Sequence, residues 1–191
     1  MPVPNPAALD FLLTRRSRPA KTLAAPGPDR AVLEQLLTAA SRSPDHGKLE
    51  PWRFIVLGQK AMPGLAQHVE TRGQALGKSP EDIVKGRDQF DRGICAIAVI
   101  EVHKPSEKIP ALEQTYAAGG VCLALLNAAL AAGWGANWLS GWPSHDRGFM
   151  QDALGLAPHE RIAGFIHIGT ETATPPDRPR PDIAAITDWR L

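Results

Sequence analysis

The chain has 191 residues, which is the size of one domain and enough to bury a sizeable core. Its 21 lysines and arginines almost balance its 20 aspartates and glutamates, so no overall field attracts it to nucleic acid or to an anionic membrane. The arginines therefore need a local explanation.

Apolar residues at helical spacing predict six helices. These are Pro6–Thr14, Asp29–Ser41, Met62–Leu76, Pro80–Phe90, Leu112–Ala132 and Ser144–Leu154. Pro28 is expected at the first position of the second helix, and Ser144 is expected as the N-cap of the sixth.

Short runs rich in Ile, Val or Phe predict strands at Arg53–Leu57, Ile94–Val102 and Ile162–Gly169, with Trp138–Leu139 as a candidate fourth. Strands interleaved with a larger number of helices predict a mixed central sheet covered by helices. A sandwich or a helical bundle is a poorer match to this pattern.

The fifth predicted helix is apolar almost throughout residues 117–133. This apolar stretch is shorter than the roughly 20 residues of a membrane span and contains Asn127, so we predict a buried helix. A helix that is apolar all round needs cover on every side, and a second copy of the chain would supply it.

Residues 1–6 lack the basic and apolar regions of a signal peptide, so a cytoplasmic location is expected. Cys95 and Cys122 lie far apart in apolar stretches without a metal-binding spacing, which predicts buried, reduced thiols and no metal site. Residues 174–181 contain four prolines and either lie extended on a surface or a partner, or form a solvated linker. Trp189 slightly favours docking.

A basic triplet, Arg15-Arg16-Ser17, follows the first helix. The planar fork of arginine makes paired, charge-assisted hydrogen bonds to phosphate, and a neighbouring serine adds a neutral donor. The alternative is a solvated pair of arginines that opposes the helix dipole.

A second polar segment links the second helix to the first strand and contains Arg42, Asp45, His46, Lys48 and Trp52. Loops of this kind often carry binding residues. Each residue also has a structural alternative: His46 as a turn cap, Asp45 as an Asx-turn former, and Lys48 as a solvated charge.

Together these motifs resemble the nitroreductase family of flavin enzymes, in its small, minimal type. The resemblance rests on Arg15-Arg16-Ser17, Ala39 to His46, Glu50-Pro51-Trp52, Gly119 to Ala132, residues 133–141 and Gly169-Thr170. It covers about residues 7–170 of a single domain, 1–191, and leaves the tail at 171–191 outside any motif that we can name.

The resemblance implies an α+β fold and an intertwined homodimer with one FMN in each of two pockets at the subunit interface. Carried over residue by residue, Arg15, Arg16 and Ser17 would hold the ribityl phosphate and the polar edge of the flavin. Arg42 and His46 would reach across from the other subunit.

In the same comparison, Trp138, Leu139 and Ser140 would line the pocket. Relatives of this type can carry an arginine where this chain has Leu139. A backbone contact at that position would survive the change, whereas a side-chain contact to phosphate would not.

The function implied is NAD(P)H-driven, two-electron reduction of nitroaromatic or quinone-like acceptors in alternating half-reactions on FMN, without an essential side-chain acid or base. The alternatives are a flavin-dependent reductase or dehydrogenase dedicated to one metabolite, and a non-catalytic flavin-binding or storage protein. A small RNA-binding module is a poor match, because the net charge is near neutral and no stacking aromatics accompany the arginines.

No Rossmann, Walker or nucleophile-elbow motif is present in the sequence. His103, His145 and His159 are scattered along the chain. His167 is expected to be a satisfied core or interface histidine.

Overall fold

In the computed structural model, which describes residues 3–191, helices and strands alternate along the chain. The helices are α1 (Pro6–Thr14), α2 (Arg30–Ala40), α3 (Met62–Ala75), α4 (Pro80–Asp91), α5 (Ala111–Ala131) and α6 (Arg147–Leu154). The strands are β1 (Leu23–Ala24), β2 (Trp52–Gly58), β3 (Cys95–Val102), β4 (Gly135–Leu139) and β5 (Glu160–Glu171).

All six predicted helices are confirmed, with small shifts at their ends. Asp29 caps α2 by accepting a hydrogen bond from the Val32 amide at 2.9 Å, which leaves Pro28 outside the helix. Ser144 lies in a short 3-10 helix, and Asp146 caps α6 through the Phe149 amide. The predictions of Pro28 as the first helical residue and of Ser144 as an N-cap were therefore wrong.

The α+β class is confirmed, but every strand pairing described is antiparallel and the sheet is not mixed. Two helices, α3 and α4, link β2 to β3, so the chain returns antiparallel to β2. One helix, α5, links β3 to β4; these strands run the same way, but β5 lies between them and pairs with both. The alternation of helices and strands in the sequence does not indicate that β5 lies between β3 and β4.

The central strand β3 is buried along its whole length, and its side chains alternate between two cores. Ala96, Ala98 and Ile100 pack with α3, α4 and α6, whereas Ile97 and Val99 pack with α2 and α5. Burial on both faces explains why this strand is a continuous apolar run in the sequence.

Helix α5 is long and apolar enough to cross a membrane by composition, but one face of it packs into the core. The opposite face leaves Leu112, Tyr116 and Leu123 exposed. Helix α1 buries no residue and leaves Leu9, Leu12 and Leu13 more than half exposed. These two helices therefore present apolar surface that the chain itself does not cover.

Cys95 and Cys122 are free and buried, as predicted. Burial raises the pKa of Cys95 to about 11 and that of Cys122 to about 12, so both thiols stay protonated near neutral pH. The tail at 172–191, all of which the structure describes, contains no helix or strand, and Trp189 is exposed on the single chain, so docking on a partner stays a prediction.

Candidate functional site

The basic triplet lies where α1 ends and the chain becomes extended at Arg15. Arg15 Nη2 donates to Ser17 Oγ at 3.2 Å. Arg15 Nε and Arg16 Nη1 are buried and have no hydrogen-bond partner. Buried donors without partners cost free energy, and an anion would satisfy both.

The tail brings another arginine to this place. Burial, followed by the nearby charges of Arg180 and Arg18, lowers the pKa of Arg15, which marks a concentration of positive charge. Asp177 Oδ1 accepts a hydrogen bond from Arg180 Nη2 at 3.0 Å and lies 4.0 Å from Arg16 Nη1. We call Arg15, Arg16, Arg18 and Arg180 the arginine cluster.

The arginine cluster remains positive overall. Arg18 pairs with Glu171 at 3.0 Å, and Asp177 is shared between Arg16 and Arg180, so cations outnumber carboxylates. Arg15, Arg16 and Arg18 line a cleft of about 300 Å³ that also has apolar walls from Phe11 and Leu130. The cleft suits a phosphate attached to a less polar group.

A second cavity, of about 210 Å³, lies between α4 and the sheet. We call it the sheet cavity. Its lining includes three cations, one carboxylate, three neutral polar side chains and Leu139: Lys21, Lys85, Arg92, Asp88, Gln89, Ser140, His167 and Leu139. An electron-rich polar group would be favoured there.

Trp138 and Leu139 project to opposite faces of the sheet. In the β4–β5 pairing, Leu139 is opposite Phe165 and Trp138 is opposite Ile166, which belong to different cores. The Trp138 indole covers Gly164, where a side chain would have no room. Of the predicted residues 138–140, only Leu139 and Ser140 line the sheet cavity.

Strand β4 connects the two cavities. The cleft of the arginine cluster includes Gly133 and Trp134, just before β4, and the sheet cavity includes Leu139 and Ser140 at its end. Arg18 N donates to Ala136 O of β4 at 2.8 Å. A five-residue strand spans about 13 Å, so the two cavities lie beside opposite ends of β4.

Arg42 and His46 lie elsewhere in the chain, and both are exposed. His46 Nδ1 is 2.7 Å from Glu113 Oε2, beside the first turn of α5. The arginine cluster lies beside the last turn of the same helix, which at 21 residues is about 30 Å long. One chain therefore does not bring Arg42 and His46 to the basic triplet.

The loop that carries His46 has a strained, fixed shape. Lys48 and Glu50 have φ values of 54° and 47°, a region that side chains rarely adopt. Asp45 Oδ2 accepts from the Glu50 amide at 2.9 Å and holds the turn. Strain of this kind is often retained where a loop serves binding.

His167 is buried as predicted, with 2% of its surface exposed. The expectation that it is satisfied was wrong, because its Nε2 has no hydrogen-bond partner. Burial lowers the pKa of His167 to about 4, so the imidazole is neutral near pH 7.

His103, His145 and His159 are scattered in sequence but line one open groove of about 450 Å³. Within residues 3–191, no group of three or more His, Cys, Asp or Glu side chains is arranged to hold a metal ion.

Sequence reasoning missed the cations and amides that surround the predicted residues. Arg180 belongs to the proline-rich tail, for which no periodicity exists to place it. Lys85, Gln89 and Arg92 resemble the solvated face of an ordinary amphipathic helix until α4 is placed against the sheet. The signal in the sequence that could have indicated Arg180 is the spacing of two arginines, Arg178 and Arg180, among the prolines of the tail.

Comparison with known proteins gives a consistent result. The family model described as "Nitroreductase family" matches residues 12–170. YdjA of Escherichia coli (strain K12), provisionally named as an NAD(P)H nitroreductase, is 32% identical over 163 residues, covering 85% of this chain and 87% of YdjA.

Solved structures share the fold. A nitroreductase-like family protein from Bacillus cereus superposes with a TM-score of 0.80 at 24% identity, covering 99% of this chain and 98% of that one. A protein from Desulfovibrio desulfuricans, provisionally named as a nitroreductase and solved in complex with FMN, has a TM-score of 0.75 at 19% identity, covering 99% of both chains.

Proposed function

This chain belongs to the nitroreductase family, and from that premise we propose that it is an FMN-dependent oxidoreductase. As a homodimer it uses NADH or NADPH to reduce nitroaromatic or quinone-like compounds by two electrons. The observation that carries the proposal is the pair of buried, unpartnered guanidinium nitrogens on Arg15 and Arg16. The FMN complex of the Desulfovibrio desulfuricans protein and the name of YdjA support it.

The arginine cluster would hold the FMN phosphate. Arg15 Nε and Arg16 Nη1 are free to donate to phosphate oxygens, and Ser17 Oγ is already within hydrogen-bond distance of Arg15. Arg180 adds a further positive charge from the tail. Arginine is suited to this task because its fork matches two oxygens at once.

The flavin ring would occupy the sheet cavity. A five-carbon ribityl chain joins phosphate and ring in FMN, and the corresponding cavities lie beside opposite ends of β4, which is about 13 Å long. Lys21, Lys85 and Arg92 place positive charge beside the ring. Positive charge near the pyrimidine edge favours the anionic reduced flavin and raises its reduction potential.

A two-fold dimer through the exposed face of α5 would complete the site. In an antiparallel pair of α5 helices, the first turn of one helix lies beside the last turn of the other. Tyr116 and Leu123 are exposed on this face, with Gly120 between them to allow close approach. Each helix would cover the apolar surface of its copy.

The same symmetry explains the position of Arg42 and His46. In one chain His46 is separated from the arginine cluster by about the length of α5, some 30 Å, and Arg42 lies four residues before it in the chain. Antiparallel pairing would carry them to the arginine cluster of the other subunit. His46, oriented by Glu113 at 2.7 Å, would then contact FMN from across the interface.

Bound FMN supplies the redox chemistry, by accepting hydride from a nicotinamide and passing two electrons to the acceptor. The chain's own residues bind and orient. Burial keeps the Cys95 thiol protonated and His167 neutral, so neither provides an ionised nucleophile or a charged acid near pH 7. We therefore assign no side-chain acid or base.

Initial-rate kinetics of the FMN-loaded protein test the proposal. We expect parallel double-reciprocal lines when NADH or NADPH is varied at several fixed concentrations of p-nitrobenzoate or menadione, because each reactant uses the same flavin in turn. Intersecting lines would contradict alternating half-reactions. The absence of turnover with both nucleotides and both acceptors would refute the assigned activity.

A further inference from the structure

Two buried polar atoms in the wall of the sheet cavity have no hydrogen-bond partner. They are His167 Nε2, on β5, and Gln89 Oε1, on α4. Gln89 uses its amide nitrogen to donate to Gly86 O at 3.5 Å, which leaves the oxygen free to accept. Two unsatisfied groups in one cavity point to a ligand group that satisfies both.

Their surroundings define the chemistry of that group. The sheet cavity also presents Lys21, Lys85 and Arg92 as donors and Asp88 as a single carboxylate. The sheet cavity therefore offers several donors together with one unpartnered acceptor, Gln89 Oε1. A ligand edge with the order acceptor, donor, acceptor is complementary to this set.

Resting on the proposed function, we infer that Gln89 and His167 bind the pyrimidinedione edge of the flavin ring. That edge presents C2=O, N3–H and C4=O, in the order acceptor, donor, acceptor. Gln89 Oε1 accepts the N3–H, and His167 Nε2–H donates to a flanking carbonyl. A lysine or arginine of the cavity donates to the other carbonyl.

The imidazole performs this task without charge. Burial lowers the pKa of His167 to about 4, and Phe90 and Phe165 lie beside it with ring centroids 6.4 and 6.5 Å away. The charged groups of the cavity, Lys21, Lys85, Arg92 and Asp88, are on other elements than β5. His167 therefore contributes a directional hydrogen bond, while the cations contribute the positive potential.

If His167 serves flavin binding, its replacement should weaken flavin affinity without lowering the stability of the apoprotein. A histidine held only for the fold would stabilise the apoprotein, and its loss would lower the melting temperature. An unpartnered buried nitrogen has the opposite effect, because replacing it with an apolar side chain removes a desolvation cost. We expect His167→Leu to melt at or above the wild-type temperature without flavin, yet to bind flavin more weakly.

The test compares dissociation constants of wild type, His167→Leu and Gln89→Leu for FMN, riboflavin and 3-methylriboflavin, measured by quenching of flavin fluorescence. Both variants should bind FMN and riboflavin about tenfold more weakly, the loss of one hydrogen bond. Wild type should bind 3-methylriboflavin at least about tenfold more weakly than riboflavin, and Gln89→Leu should lose that discrimination.

His103→Leu is the matched control, because His103 Nε2 is also buried and unpartnered but lines a different groove. It should bind flavin as wild type does. Equal affinity of wild type for riboflavin and 3-methylriboflavin overturns the inference, even if His167→Leu fails to fold. The inference is also overturned if His167→Leu and Gln89→Leu both bind FMN as tightly as wild type does.

Failure of the inference is distinguishable from failure of the proposed function. If FMN binds tightly and Arg16→Ala weakens it, while His167→Leu and Gln89→Leu do not, the proposed function stands and the edge contact is wrong. If no flavin binds to the wild-type protein, both are wrong.

Discussion

At the scale of single residues, Arg16 carries the phosphate assignment most directly. Arg16→Ala should weaken FMN binding by about ten- to hundredfold, because a charge-assisted hydrogen bond contributes roughly 1.5 to 3 kcal/mol. Riboflavin, which lacks the phosphate, should bind the variant as it binds wild type. Fluorescence titration with both ligands measures the difference.

Arg30→Ala is the control for Arg16, since Arg30 is almost fully exposed and pairs only with Glu34 on its own helix. It should leave FMN affinity unchanged. If Arg16→Ala also left it unchanged, the arginine cluster would not be the phosphate site.

Glu160 should govern part of the acid sensitivity of the fold. Two hydrogen bonds from Arg53, at 2.6 and 2.9 Å, are the main cause that lowers the pKa of Glu160 to about 2. The pKa of Glu160 is lower in the folded protein than in the unfolded chain, where it is near 4.5, so the ionised carboxylate stabilises the fold at pH values above 4.5. This stabilisation is lost as the pH falls from 4.5 towards 2.

Urea unfolding of wild type and Glu160→Gln at several pH values checks this expectation. The variant should be less stable at pH 7 by at most about 3 kcal/mol, and the difference should shrink between pH 4.5 and pH 2. A difference that stayed constant over this window would show that the Glu160 carboxylate is not the titrating group.

Residue positions were predictable beside a local motif, since the adjacent arginines of the triplet lie together at the end of α1 as the sequence indicated. Residue roles were not predictable where they depend on three-dimensional position. His167 and Gln89 share a cavity only because α4 packs against the end of β5, although they are far apart in sequence. Their lack of partners is a property of the fold.

At the scale of elements, Trp142 fixes α4 against α3. Its indole occupies space over Gly86, where a Cβ would lie 2.5 Å from Trp142 Nε1, and that nitrogen donates to Asp82 O at 3.1 Å. Gly86→Ala should therefore destabilise the protein by about 1 to 2 kcal/mol. This figure is the cost of overpacking against Trp142 minus the stabilisation that alanine brings through its higher helix propensity.

Chemical denaturation followed by tryptophan emission measures this effect. Gly64→Ala is the matched control, because a Cβ at Gly64 of α3 meets nothing within 4 Å. It should gain up to about 1 kcal/mol from helix propensity. Equal effects at the two glycines would mean that Trp142 does not restrain α4.

Elements were largely predictable because helix periodicity, Pro and cap residues are local signals. The two-residue strand β1 was not predicted, since its pairing with the end of β5 depends on a contact distant in sequence. The strand directions were not predictable either, because β5 follows β3 and β4 in the chain but lies between them in the sheet.

At the scale of the whole molecule, the proposed dimer interface is testable at Leu123, which is 46% exposed on α5. Leu123→Glu would place two carboxylates near the two-fold axis, and we expect dimer dissociation to become at least about a hundredfold more favourable. The FMN content of the protein should fall as the dimer dissociates, because each site would lose Arg42 and His46 of the other subunit.

Analytical ultracentrifugation with Leu76→Glu as the control measures this prediction. Leu76 is 48% exposed, almost the same as Leu123, but lies at the end of α3 away from α5. Leu76→Glu should remain dimeric. A monomeric wild-type protein that binds FMN fully would contradict the shared site.

The apolar sequence of α5 indicated that one chain could not cover this helix, and the exposed face agrees with that reasoning. Sequence could not indicate which face would be exposed. Only the placement of α5 against β3, β4 and β5 separates the buried Val121 and Leu125 from the exposed Tyr116 and Leu123.

The visible absorption spectrum of the purified protein, recorded before and after anaerobic addition of NADH and then NADPH, tests whether the protein is a flavin oxidoreductase. We predict a yellow protein with flavin bands that bleach when a nicotinamide is added. A yellow protein that neither nucleotide bleaches would instead be a flavin-storage protein. A protein that stays colourless after incubation with FMN would not be a flavin enzyme, which is the opposite of what we propose.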